Sequence, residues 1–128
     1  MGRIVTPVRI ESVRSPADAI LCDALVDTGA SSLILPKAWK KRLGEFESLG
    51  EIPTETATQE TVVGEIGGPF RIQIEGFRPV FSEVVFIDMK PEDGMYEPLL
   101  GYIILEQSKA AVDLVGHRLL HVKRMDLK

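Results

Sequence analysis

The side chains best placed for chemistry lie in one stretch, Ala24-Leu25-Val26-Asp27-Thr28-Gly29-Ala30-Ser31-Ser32-Leu33-Ile34-Leu35-Pro36. An apolar strand delivers Asp27 onto a Thr28-Gly29 turn and a second apolar strand leaves it, so the carboxylate sits at the edge of a core. Glycine lets backbone amides approach that carboxylate, and the Thr28 hydroxyl can anchor the turn by hydrogen bonding. The turn therefore holds one pair of oxygens rigidly, as a proton-transferring group requires. Asp-Thr-Gly also suits tight turns without chemistry. By average composition it arises by chance in roughly 3% of chains this long, so the tripeptide needs support from elsewhere in the chain.

The other reactive side chains read as structural. Cys22 has the apolar neighbours Ile20, Leu21 and Leu25 and no histidine or basic context to lower its pKa, so it reads as a core thiol. His117 and His121 have the spacing of helical metal ligands, but Gly116 and the alternation around them imply a hairpin. On a strand, residues four apart lie roughly 13 Å from each other, too far to share an ion. Glu92, Asp93 and Glu97 lie in an acidic stretch, Asp88 to Glu97, that lacks the ligand order of a calcium loop and reads as a solvated rim. Neither a metal nor a cofactor is expected. Trp39 and Phe46 read as packing residues beside a helix.

Short strands must position the turn. Arg3 to Arg14, Ala19 to Val26, Val62 to Ile66, Phe70 to Ile74, Val80 to Ile87, Ala110 to Asp113 and Arg118 to Val122 alternate or run apolar, which indicates a barrel or sandwich. Leu114 to His117 reads as a hairpin turn with Gly116 supplying positive φ. Pro36 to Leu43 carries helix signals: proline at the start, the cations Lys40, Lys41 and Arg42 in the last turn, and Gly44 as a stop. A second short helix is expected over Tyr102 to Gln107. Between them, Glu45 to Glu60 is polar and reads as an extended mobile segment.

Composition bounds the class. The chain has 128 residues, 45% apolar and 27% charged, which suits one domain over residues 1–128 with a real core. Fifteen Lys and Arg against nineteen Asp and Glu leave a net charge of −4, which argues against general nucleic-acid binding. No apolar run approaches the roughly 18 residues of a membrane span, and Met1 to Thr6 lacks the apolar centre of a secretory signal. With a single cysteine besides, a cytoplasmic location without membrane contact is the expectation.

Asp27-Thr28-Gly29-Ala30 between apolar strands, with Pro98-Leu99-Leu100-Gly101 and a short helix late in the chain, resembles the retropepsin-like aspartic proteases, the single-domain retroviral-type branch also found in bacteria. In that family a hydrophobic-hydrophobic-Gly segment passes behind the catalytic turn. The resemblance spans Leu21 to Val122. It implies an all-β fold, a closed acid-protease-type barrel with one or two short helices, assembled as a homodimer. It implies an aspartic endopeptidase acting on peptide or protein substrates, with Asp27, Thr28 and Gly29 catalytic.

Peptide hydrolysis by this chemistry needs two carboxylates, one taking a proton from water and one donating to the carbonyl. One Asp-Thr-Gly per chain therefore calls for two chains. Ala30, Ser31 and a flap would bind substrate. Two segments compete for the flap tip: Ala57 to Glu60, with Thr58, Gln59 and Glu60 as substrate contacts, and the glycine-rich Gly64 to Gly68. The first is preferred, because Val62 to Ile74 then forms one long returning strand that bends at Gly67-Gly68-Pro69. Residue 30 is alanine where the pepsin-like branch commonly has serine, which implies an optimum nearer neutral than pepsin's. Ser31 and Ser32 stand where the viral enzymes usually have an acid, so that acid's contact with the substrate backbone does not carry over. A non-catalytic dimeric binding module on the same fold is the alternative.

Overall fold

The computed structural model describes residues 3–55 and 61–122. Among the described residues, nine strands and two short helices follow in the order β1 Val5–Ser12, β2 Ser15–Val26, β3 Leu33–Pro36, a 3-10 helix Lys37–Leu43, β4 Glu47–Glu55, β5 Thr61–Ile74, β6 Val80–Ile87, β7 Leu99–Leu100, α1 Tyr102–Gln107, β8 Ala110–Asp113 and β9 Arg118–His121. The architecture is all-β, as expected. Seven strands form one sheet in the order β1-β2-β7-β3-β6-β5-β4, and β5 also pairs with β1, while β8 and β9 form a separate hairpin.

Alternation along the strands builds the core. Val8 and Ile10 of β1, Ile20 and Ala24 of β2, and Phe70, Ile72 and Ile74 of β5 are buried together with Leu33, Leu35, Phe86 and Leu100. Each such side chain contributes about 1.5–3 kcal/mol by leaving water. Phe46 packs on Phe70 and Phe86 with ring centroids 5.1 and 5.3 Å away. A Cβ on Gly67 would lie 2.5 Å from the Phe46 ring, so glycine there is what lets the ring in. At the same place β5 changes register against β6, between Gly67 and Phe70, which is the expected bend at Gly67-Gly68-Pro69.

Both helices form where the sequence indicates. Pro36 precedes the first, and Gly44, at φ 72°, ends it after Lys40, Lys41 and Arg42. A left-handed residue there suits glycine. Lys40 is tied to Glu65 of β5 by an ion pair that Lys37 joins at 3.6 Å, and Arg42 lies 5.2 Å over the Trp39 ring, so the basic triplet is largely committed within the fold. Neither helix is long and apolar enough to cross a membrane.

Two expectations are corrected. Glu45 to Glu60, expected as an extended mobile segment, is a paired strand up to residue 55: Glu47–Glu55 pairs antiparallel with β5 from Glu47↔Gly68 to Glu55↔Thr61. Its polar composition reflects an edge position, where one side of the strand faces water and Pro53 can be tolerated. In the β8–β9 turn the positive φ falls on His117, at 52°, and not on Gly116. A Cβ on Gly116 would lie 2.5 Å from the Asp113 carboxylate, which would have to shift away from it.

Asp113 organises that hairpin by accepting hydrogen bonds from the amides of Gly116 and Val115 at 3.0 and 3.1 Å and from Arg118 Nε at 3.2 Å. The Gly116 amide, then Arg118 and the Val115 amide, hold its pKa below the ordinary carboxylate value. A carboxylate depressed in the folded state adds stability above its unfolded pKa, near 3.9, and that contribution is lost as pH falls through the folded value. Asp113→Asn should therefore lower the urea midpoint at pH 7, and the gap to the parent chain should shrink as pH falls below the ordinary carboxylate range; a gap that stays constant through acid pH contradicts this. Cys22 is half-buried, and desolvation, with Asp23 beside it, pushes its pKa to about 11. Iodoacetamide should label the folded chain on the order of 100-fold more slowly than the urea-unfolded chain, from the lost thiolate fraction.

Candidate active site

β7 runs between β2 and β3, parallel to the first through Leu25↔Leu99 and Val26↔Leu100 and antiparallel to the second through Leu33↔Leu100 and Ile34↔Leu99. The two strands on either side of the Asp27 turn are thus tied to one two-residue strand behind it. Four backbone bonds complete the attachment: Leu25 N to Pro98 O at 2.8 Å, Asp27 N to Leu100 O at 3.0 Å, Tyr102 N to Ala30 O at 2.9 Å and Ile103 N to Ser31 O at 3.0 Å. Each contributes modestly, about 1 kcal/mol, but together they leave the turn no independent freedom.

Within the turn, the Ala30 amide donates to Asp27 O at 3.1 Å and the Gly29 amide donates to Asp27 Oδ1 at 2.9 Å. One carboxylate oxygen is therefore oriented by backbone. Asp27 is partly buried, and Thr28 and Gly29 are exposed at the tip. Among the described residues the Thr28 hydroxyl makes no hydrogen bond, so within one chain backbone amides alone fix the turn.

Asp27 opens into a groove of roughly 740 Å³, lined also by Gly29, Ala30, Ser31 and Ser32, by Leu25 and Leu99, and by Ile34, Val85 and Ile87. Ala30 packs on the buried cluster of Ile34, Val85 and Ile87. Ser31 lines the wall while its carbonyl is held by α1. The groove thus brings Asp27, Gly29, Ala30 and Ser31 together. Thr58, Gln59 and Glu60 lie outside the described residues. Glu55 of β4 pairs with Thr61 of β5, and the preferred flap segment, Ala57 to Glu60, lies outside the described residues. The competing segment, Gly64 to Gly68, lies in the middle of β5, paired with β4 and β6, and is not a hairpin tip.

Sequence reasoning missed the far wall, Ile52, Pro53 and Thr54 of β4. The alternating Thr54, Thr56 and Thr58 was the available strand signal, since β-branched residues favour pleated surface. Glu97 also lines the groove, which fits the expected rim role of the Asp88 to Glu97 stretch.

Gly101 carries the attachment of α1. A Cβ there would lie 2.4 Å from Ser32 O and 2.5 Å from the Ser31 carbonyl carbon, backbone atoms that cannot swing aside. Its φ of −82° is ordinary, so the need is for space and not for conformation. Gly101→Ala should cost about 1–3 kcal/mol in urea unfolding and cut cleavage by more than the loss of folded protein explains, because relief requires moving the backbone that carries the Asp27 turn. A variant as stable and active as the parent contradicts this assignment.

A family model described as aspartyl protease matches residues 7–103, about three quarters of the chain. No curated protein sequence matches it. Among solved structures, EIAV protease in complex with the inhibitor HBY-793 superposes with a TM-score of 0.66 over 88% of this chain and 94% of that chain, at 22% identity. The matched segment contains the Asp27 turn and the Leu99-Leu100-Gly101 strand that holds it, so the fold and the sequence model point to the same place. The chain belongs to the aspartyl protease family and is an aspartic-type endopeptidase with a retropepsin-like fold.

Proposed function

We propose that two copies of the chain join about a twofold axis and that the two Asp27 carboxylates hydrolyse a peptide bond between them. The observation that carries this is the Asp27 turn: one carboxylate oxygen is oriented by the Gly29 amide, and Thr28 and Gly29 are exposed beside it. A single carboxylate cannot both take a proton from water and protonate the scissile carbonyl in the same step. An isologous contact at the exposed tip supplies the second, since whatever surface one copy presents the other presents too. With carboxylates about 3 Å apart both cannot ionise, so the pair shares one proton and titrates as a unit.

One Asp27 then deprotonates the attacking water while its partner, protonated, donates to the carbonyl oxygen. The substrate lies extended, because β4 forms one wall of the groove and pairs on one side only, with β5. Its free edge can accept a peptide as an added strand, with side chains entering the apolar pockets of Leu25, Ile34, Val85 and Leu99. We further propose that the β1–β5 pairing closes the strand circuit into a barrel, and that the enzyme works in the cytoplasm.

Asp27→Asn should abolish cleavage of a peptide library, with a loss of at least about 10⁴-fold, because both proton-transfer roles depend on it. Specific activity should rise with protein concentration in parallel with the dimer fraction seen by sedimentation. Equal cleavage by parent and variant, or full activity from a strict monomer, overturns the proposal.

A further inference from the structure

The groove wall carries one charge that peptide-bond chemistry does not use. Of the residues that line it, Asp27 and Glu97 are the ionisable ones, and the others are apolar or small. Glu97 is fixed at the wall by chain geometry: Pro98 O accepts from Leu25 N at 2.8 Å, and Leu25 and Leu99 are paired across β2 and β7. Its side chain is 51% exposed, and its partner is Arg3, whose side chain is 60% exposed and comes from the segment before β1. An ion pair that open to water is weak and exchanges readily.

A peptide lying in the groove changes this balance. It covers the Glu97 carboxylate, and a carboxylate taken from water without a cation is strongly disfavoured. Either Arg3 stays and the substrate is neutral there, or the substrate brings its own cation and Arg3 is released. A Lys or Arg side chain held against Leu25 and Leu99 can lay its aliphatic stem on those apolar walls while its charge meets Glu97, and the net charge of −4 draws cationic peptides toward the chain. Resting on the peptide-groove reading above, we propose that Glu97 selects substrates with a basic side chain, which displaces Arg3 from it.

The test uses the full-length Asp27→Asn chain, so that binding is measured without turnover. Apolar octapeptides that carry Lys, Gln or Glu at one scanned position are titrated at low salt. At one position the Lys peptide should bind about 5- to 10-fold tighter than its Gln counterpart, and the Glu peptide weakest. Glu97→Gln should erase the difference, and Arg3→Gln, by removing the competitor, should widen it. Equal affinities at every position, or a Lys preference that survives Glu97→Gln, overturn the proposal. Cleavage of the same peptides by the chain with Asp27 intact is measured in parallel. Charge selection without any cleavage would overturn the protease mechanism and leave the role of Glu97 standing.

Discussion

A two-residue strand with a glycine behind it is the constraint on which the rest of this protein depends. Leu99 and Leu100 hydrogen-bond to both strands flanking the Asp27 turn, and Gly101 lets the chain pass against the Ser31–Ser32 backbone with no side chain between. Had the turn been a free loop, its carboxylate would sample many directions, and proton transfer to a defined oxygen would lose the benefit of orientation. Here the amide of Asp27 and the carbonyls of Ala30 and Ser31 are all bonded to one short segment, so the turn moves only if that segment moves.

The same arrangement explains why the groove is apolar. Leu99, Ile34 and Val85 lie on adjacent strands, and their outer faces become the walls while Leu100, Leu33 and Val84 point to the main core. Alternation along each strand therefore divides the residues between the main core and the groove wall, one register position apart. Substituting a wall residue alters the groove, whereas substituting its neighbour opens a cavity in the core.

Some of this was legible from residues alone. Asp27-Thr28-Gly29 with apolar flanks marked the turn at the groove, Pro98 to Gly101 marked the segment behind it, and the bend at Gly67-Gly68-Pro69 and the β8–β9 hairpin were visible as breaks in alternation. These features are local: a turn or a strand announces itself through neighbouring residues. What was not legible had no local signature. β4 looked like an extended mobile segment because an edge strand with one wet side carries polar residues, and Gly116 looked like the positive-φ residue of a turn in which His117 takes that conformation. The acidic stretch that ends at Glu97 read as a rim, but which of its residues reaches the groove wall follows only from the pairing of β7 with β2.

The order of residues by itself singled out Asp27 as the side chain proposed for the chemistry and raised the need for a second copy, since both readings follow from residue type and count. Only the tertiary structure decided what surrounds that side chain. β7 meets β2 and β3 from some seventy positions away in the chain, and Ile52, Val85 and Glu97 reach one groove from three different elements. Contacts of that kind depend on register between strands distant in sequence, which short-range propensity does not encode.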